Sequence, residues 1–335
     1  MDYTETLTSD TYVVTYGVNP AQNGMRLDAF IKLHYRRRSR EQIKRAIDSG
    51  AVTVLRNQSP HLTVGRLKPG TQLVPGDEVR LLSERKPEPE VDFNYKILYE
   101  DDALFVIEKP SNLPVHPAGR FFFNTLLVHL KTKGHRTPLR AEQDYFLAHR
   151  IDRETSGVLV LAKTSEICAA LVKQFAERTT EKTYLAIVHG ITKEEFAVDL
   201  AMKRAGAASR ISMKMIVATE KDGGQPCRTE FTRIKTMPEG FSLLECRPRT
   251  GRQHQIRVHL DAIGHPVVGD KLYGRPESDA IAFYERRYIT PELMARLLLP
   301  RQALHAHQLR LTHPVTGKRM EFRSELPAEL KAFCR

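Results

Sequence analysis

The sequence predicts an α+β protein in two parts: a mixed, largely antiparallel sheet with flanking helices over residues 95–335, preceded by a small α/β domain over residues 24–84. Three observations carry this. From Lys96 onward short apolar runs alternate with amphipathic stretches, and the later runs, Arg228 to Ile234 and Phe241 to Cys246, read as antiparallel strands. The N-terminal region instead shows two short helical patterns beside small strands. Between the two parts, residues 84–91 combine charge with Pro87 and Pro89, which neither a helix nor a central strand can continue through. At 335 residues the chain exceeds one average domain.

The elements follow in order. Residues 1–23 form a polar N-terminal extension. Leu27, Phe30, Ile31 and Tyr35 then recur at helical spacing, and a second helix runs from Arg40 to Ser49 with Ile43, Ala46 and Ile47 on one side, Ser39 as N-cap and Gly50 as the stop. Ala51 to Leu55 reads as a strand, and Leu73 to Leu82 as a turn entering another. Residues 85–94 are the linker. In the larger part, strands are expected at Leu104–Ile107, Val158–Leu161 and Tyr184–Val188, with a helix from Ser165 to Arg178.

Charge narrows the partner. The chain carries 52 Lys and Arg against 40 Asp and Glu, a net +12, and residues 25–45 hold eight basic side chains against two acidic ones. Such an excess attracts a polyanion, nucleic acid first, although a charge run also serves as a plain solvated helix face. Four cysteines without CxxC spacing suggest neither a disulfide framework nor a cysteine zinc site. The N-terminus lacks the basic start and apolar run of a signal peptide, and no stretch reaches membrane-spanning length, so a cytoplasmic protein without a membrane partner is expected. No protein partner is evident.

Walker, GxGxxG, HExxH and GxSxG motifs are absent, which removes the main sequence support for nucleotide hydrolysis, nicotinamide chemistry, zinc proteolysis and serine hydrolysis. A reaction without a cofactor is expected. The polar run His149-Arg150-Ile151-Asp152-Arg153-Glu154-Thr155-Ser156-Gly157 enters the apolar strand at 158–161, and its Thr-Ser-Gly turn sets Asp152 at a strand edge facing a cleft. Taken alone, an aspartate between two arginines reads as an ion-paired loop residue as readily as a reactive carboxylate. His254 with His259, and His305 with His307, lack Cys or carboxylate partners at metal-ligand spacing, so no metal site is expected. Ser156 lacks a nucleophile elbow.

The run resembles the HRLDxxTSG signature of the RluA-type pseudouridine synthases, with Ile151 at the usual leucine. Further segments match in order: Glu108 to Pro117, Glu181 to Gly190, Thr250 to His259, Gly264 to Asp270, and Leu304 to His307. Residues 24–84, with "RLDAFI", "RSREQIKRAIDSGAVTV" and "LVPGDEVRL", resemble an S4 RNA-binding domain, apart from the longer segment from Arg56 to Leu67. The resemblance implies the pseudouridine synthase fold and isomerisation of a uridine in RNA: N1–C1′ breaks, the uracil rotates, and C5 joins C1′. No cofactor is needed.

By the same resemblance Asp152 is the catalytic carboxylate, acting at the ribose C1′ or in proton removal to a glycal; Tyr184 lies against the uracil and serves the C5 proton transfer; Arg252 is the cation that orients Asp152. The target nucleotide must leave the stack, and the flat guanidinium of Arg150 suits the gap it leaves, an ordinary salt bridge being the alternative. His149, Thr155, Ile256 and Arg257 are further substrate-binding candidates, and Arg36, Arg37, Arg38, Arg40, Lys44 and Arg45 candidates for holding RNA phosphates. S4-bearing members favour ribosomal RNA, with transfer RNA as the alternative. Two other readings stay open: a non-catalytic RNA-binding or ribosome-assembly factor, and a glycosidase-like hydrolase using Glu154 as second carboxylate. Phe121-Phe122-Phe123 is either a base platform or a packing cluster, and the 275–288 loop has no assigned role.

Overall fold

The computed structural model describes residues 3–8, 10–36, 38–56, 65–84, 87–132, 144–237, 239–286 and 289–335. They fall into two compact units, Met1–Pro89 with Val128–Arg136, and Glu90–Leu127 with Thr137–Arg335.

In the first unit β1 (Tyr3–Leu7), β2 (Thr11–Gly17), α1 (Leu27–His34), α2 (Arg40–Asp48), β3 (Val52–Leu55) and β4 (Glu78–Glu84) follow in sequence, and the strands form one antiparallel sheet in the order β1-β2-β4-β3. The expected N-terminal extension thus contributes two strands to this sheet. Helix α1 buries Leu27, Phe30 and Ile31, and α2 buries Ile43 and Ile47, in one core with Val52, Val54, Val79 and Leu81. Ser39 caps α2 as its spacing predicts: its hydroxyl accepts from Gln42 N–H at 3.2 Å, the Gln42 side chain returns to Ser39 N–H at 2.8 Å, and Gly50 follows with φ +78°.

The second unit contains β5 (Lys96–Glu100), β6 (Leu104–Lys109), α3 (Leu126–Thr132, continuing into the first unit), β7 (Phe146–Leu147), β8 (Ser156–Ala162), α4 (Ser165–Ala176), β9 (Glu181–His189), β10 (Glu195–Asp199), β11 (Met202–Arg204), β12 (Met215–Val217), β13 (Arg228–Met237), β14 (Phe241–Pro248), α5 (Gln255–Ala262), α6 (Glu277–Arg286), α7 (Pro291–Leu297), β15 (Leu304–Thr312), β16 (Arg319–Arg323) and α8 (Ala328–Phe333). Its main sheet runs β10-β13-β14-β9-β15-β8-β6-β5, with β16 on β15 and β7 on β8. Every pairing is antiparallel except β15 with β8, which gives the mixed, largely antiparallel sheet that the sequence predicts. Strand β8, Ser-Gly-Val-Leu-Val-Leu-Ala, is buried at every position, so its unbroken apolar run marks the sheet centre. Ile256 and Leu260 of α5 enter the same apolar cluster as Leu185, Ile187 and Leu244.

The parallel contact demands a glycine. Gly157 has φ +114°, and a Cβ there would stand 2.2 Å from the Ala306 carbonyl oxygen. Thr-Ser-Gly therefore lets β8 start directly against β15 and leaves the residues just before it, Asp152 among them, at the sheet edge. No helix of the described residues is long and apolar enough to cross a membrane.

Candidate active site

Asp152 sits in the turn that enters β8, where Thr155 N–H donates to the Asp152 carbonyl at 3.1 Å. Lys109, at the end of β6, fixes this turn from below. Its ammonium is fully buried and donates to the carbonyls of Pro110, Leu113 and Arg153 at 2.7, 3.0 and 3.0 Å, so all three of its protons are used. Burial, then the charge of Arg301, pulls its pKa down to about 7.

The Asp152 carboxylate is 28% exposed, and its two oxygens differ. Oδ2 accepts from Arg257 Nη1 at 2.8 Å and from Gln302 Nε2 at 3.3 Å, whereas Oδ1 has His254 Nε2 at 3.9 Å. Burial alone raises this carboxyl; the fields of His254 and Arg257 and the two hydrogen bonds outweigh it and bring the pKa from 3.8 to about 2. His254 is itself held down to about 4, by burial first and then by Arg257, so near neutral pH it is uncharged and Arg257 is the cation that keeps Asp152 ionised.

Arg257 is held from its other side. Its Nε and Nη2 donate to Asp270 Oδ2 and Oδ1 at 2.6 and 2.8 Å, and its guanidinium lies 5.0 Å from the Tyr273 ring centre. Asp270 is fully buried and also accepts from the N–H groups of Leu272 and Tyr273 at 2.8 and 3.1 Å. Gly269 makes this turn possible: at φ +74° a Cβ would stand 2.0 Å from the Arg301 carbonyl oxygen. A bidentate fork on one carboxylate with a third N–H on the next is a geometry that arginine offers and lysine does not.

The remaining expected residues divide. Tyr184 is half-buried on β9 and lines the 110 Å³ recess over Asp152 together with Arg150, Thr155, Arg252 and Arg257. Burial, reinforced by the charge on Asp152, pushes its phenol well above the ordinary range, so it is protonated near neutral pH. Arg150 is exposed, approaches His116 at 3.4 Å, and has no carboxylate partner among the described residues. Arg252 is exposed at the rim and likewise unpaired with any carboxylate among the described residues. The ion pair expected between Arg252 and Asp152 is therefore made by Arg257: α5 begins at Gln255, so Arg257 lies in the helix and is turned inward, while Arg252 lies in the loop ahead of it.

Other side chains are occupied internally. His149 accepts from Val160 N–H at 3.0 Å and stacks on Phe175, with burial lowering its pKa to about 3. Thr155 accepts from Gln302 Nε2 at 2.7 Å, and Ile256 belongs to the core. Glu154 receives Lys271 at 2.6 Å and Arg153 at 2.8 Å and does not line the recess, so among the described residues no second carboxylate lines it with Asp152. Phe121 and Phe123 are buried and pack, with the Arg120 and Arg153 guanidinium groups over the Phe121 ring at 5.5 and 5.3 Å, while Phe122 is half-buried with its ring 4.9 Å from that of Phe123. The 275–288 segment contains α6 up to Arg286; residues 287 and 288 lie outside the described residues.

The recess opens beside a cleft of about 1260 Å³ lined by Arg150, Arg178, Lys182, Arg247, Arg249 and Arg252 among others. In the first unit Arg36, Arg40, Lys44 and Arg45 are exposed, Arg45 lies 3.5 Å from Glu41, and Arg38 rests over the Tyr35 ring at 4.8 Å; Arg37 lies outside the described residues. Gln302, Asp270, His254 and Tyr273 are the site residues that sequence reasoning did not assign. Asp270 and His254 fall inside the matching segments, whereas nothing marks Gln302. Among the described residues no group of three His, Cys, Asp or Glu side chains could hold a metal ion.

The architecture agrees with comparison to known proteins. A family model described as RNA pseudouridylate synthase matches residues 103–262. The chain is 34% identical over 313 residues to "Ribosomal large subunit pseudouridine synthase D" of Zymomonas mobilis, with 92% of each chain covered. It is 40% identical over 237 residues to the protein of the same name from Nitrosomonas europaea, covering 71% of this chain and 63% of that one. The solved structure "Human RNA Pseudouridylate Synthase Domain Containing 4" matches with a TM-score of 0.54 and 28% identity over 70% of this chain and 90% of that one. The chain accordingly belongs to the RNA pseudouridylate synthase family, in its RluA-type branch, and is an RNA pseudouridine synthase, an isomerase.

Proposed function

We propose that this pseudouridine synthase modifies uridine in large-subunit ribosomal RNA and that Asp152 is its catalytic carboxylate. The observation that carries the site assignment is the asymmetric hold on Asp152: Arg257 and Gln302 take Oδ2, and Oδ1 stays open toward a recess beside a basic cleft. A carboxylate with a pKa of about 2 is ionised throughout the working range. Attack at C1′ and proton removal toward a glycal both require that form.

The flipped uridine enters the recess with its uracil against Tyr184. The phenol stays protonated, so it serves C5 by relaying a proton, accepting the C5 proton as it passes its own hydroxyl proton to solvent. Arg150, exposed and without a carboxylate partner among the described residues, fills the vacated stack, and Arg252 and the neighbouring arginines of the cleft hold phosphates. Residues 24–84 are an S4-type RNA-binding domain followed by a linker over 85–94, with Arg36, Arg38, Arg40, Lys44 and Arg45 meeting RNA. His149, Thr155 and Ile256 shape the site without touching substrate. Ribosomal RNA is favoured because the relatives from Zymomonas and Nitrosomonas carry that substrate in their names. A cytoplasmic enzyme fits four cysteines that are all free.

The test is in vitro. Purified enzyme is incubated separately with unmodified large-subunit ribosomal RNA and with unmodified transfer RNA, and pseudouridine is mapped in each. Modification confined to ribosomal RNA is expected; modification confined to transfer RNA overturns the substrate assignment.

A further inference from the structure

Beside Asp152 stands a buried histidine, His254, that shares a hydrogen bond with a buried tyrosine. The Tyr273 hydroxyl accepts a hydrogen bond from Met215 N–H at 3.0 Å and lies 2.9 Å from His254 Nδ1. The two side chains are 3% and 9% exposed. If His254 carried its proton on Nδ1, the hydroxyl would receive two donors and its own proton would face no acceptor recorded among the described residues, a costly state for a buried group. The consistent arrangement has the tyrosine donating to Nδ1, which places the imidazole proton on Nε2. That nitrogen faces Asp152 Oδ1 at 3.9 Å, the oxygen that Arg257 and Gln302 leave open.

The backbone gives a separate reason to look for a role of the histidine side chain. His254 is the N-cap of α5 and has φ +57°, a left-handed conformation that asparagine adopts more readily than histidine. Its side chain makes no cap hydrogen bond, so helix capping does not account for a histidine here.

Building on the assignment of Asp152 above, we infer that Tyr273 and His254 are a positioning pair for pseudouridine formation, the tyrosine hydroxyl fixing the Nε2–H tautomer of His254 so that a neutral N–H is presented to Oδ1 of Asp152. A neutral donor steadies the reacting oxygen without cancelling its charge, as a second cation would. The opposite tautomer would set a lone pair against the carboxylate. The 3.9 Å separation shortens to a hydrogen bond in the substrate complex, as long contacts at unliganded sites commonly do.

The test separates positioning from packing with two substitutions at one site in the full chain. Glutamine can carry an amide N–H to where Nε2 stands, whereas asparagine reproduces the Nδ1 contact to Tyr273 and relieves the left-handed backbone. Positioning predicts that His254→Gln turns over about tenfold faster than His254→Asn, the rate equivalent of one hydrogen bond, at equal KM for RNA. A packing role predicts the reverse order. Independently, two-bond proton–nitrogen NMR spectra of the 15N-histidine-labelled wild-type enzyme report the tautomer, with His254 assigned by its loss in either variant. An Nε2–H form that gives way to a mixture in Tyr273→Phe is expected. An Nδ1–H form in the wild type, or His254→Asn equal to or faster than His254→Gln, overturns the inference. Activity surviving in Asp152→Asn would instead overturn the site assignment on which it rests.

Discussion

Replacing Arg257 by methionine removes the cation that bridges Asp152 and Asp270. Holding the Asp152 carboxyl at about 2 instead of 3.8 corresponds to about 2 kcal/mol of net preference for the ionised form, what remains after His254, Arg257 and Gln302 overcome the burial penalty. The sign follows from the direction: a depressed pKa contributes fully above the unfolded value and is lost as the pH falls through about 2. The acid limb due to Asp152 therefore lies below any practical assay in the wild type. Without Arg257 both its charge and its hydrogen bond are lost while the burial penalty stays, so the carboxyl moves upward and carries that limb toward the measurable range.

Positioning is lost as well, and displacement of a reacting group by about 1 Å costs about 100-fold. The fully buried Asp270 would be left without its cation, a loss of about 3–5 kcal/mol in stability, so the companion variant Arg257→Met/Asp270→Asn removes that buried charge while leaving Asp152 unsupported. The assay follows release of tritium from C5-labelled uridine in RNA across pH 4–9 (about the range in which RNA and carboxylates are both tractable), with thermal unfolding as control. Both variants are expected to lose about 100-fold in kcat with a new acid limb. A pH profile superimposable on wild type, in a variant that folds, would refute the reasoning.

Further expectations follow from the same geometry. Asp152→Asn binds RNA as tightly as wild type and forms no pseudouridine; measurable turnover in single-turnover assays would count against it. Arg150→Lys is expected to recover little of what Arg150→Ala loses in kcat, because an ammonium does not stack as a guanidinium does; full recovery would mean that charge alone matters. Lys109→Met strands three carbonyls and is expected to destabilise the fold by about 3 kcal/mol in urea titration. Arg40→Gln/Lys44→Gln is expected to reduce the slope of log binding constant against log salt by about 0.7–0.9 for each phosphate contact removed, and an unchanged slope would take α2 off the RNA surface.

The elements with a strong local signal were legible. The buried run of β8, the capped helix α2 and the paired β13 and β14 all follow from periodicity and turn chemistry. Strands β1 and β2 lack a clear apolar alternation because β1 is almost wholly exposed and β2 only half-buried, although Thr-Tyr-Val-Val-Thr-Tyr in β2 is good strand composition. In the site, two arginines stand five positions apart, and which one meets Asp152 depends on where α5 starts. His254 at φ +57° starts the helix at Gln255, a local backbone choice that no apolar period encodes. Gln302 reaches Asp152 across 150 positions of sequence because β15 lies parallel to β8, a long-range consequence of topology.

The central claim, that this chain makes pseudouridine in large-subunit ribosomal RNA through Asp152, is tested most directly by modification maps of total RNA from cells lacking the gene and complemented with wild type or Asp152→Asn. The account predicts that one or a few ribosomal uridines lose the modification, regain it with wild type and stay unmodified with Asp152→Asn. Restoration by Asp152→Asn, or a map in which no uridine changes, would contradict it.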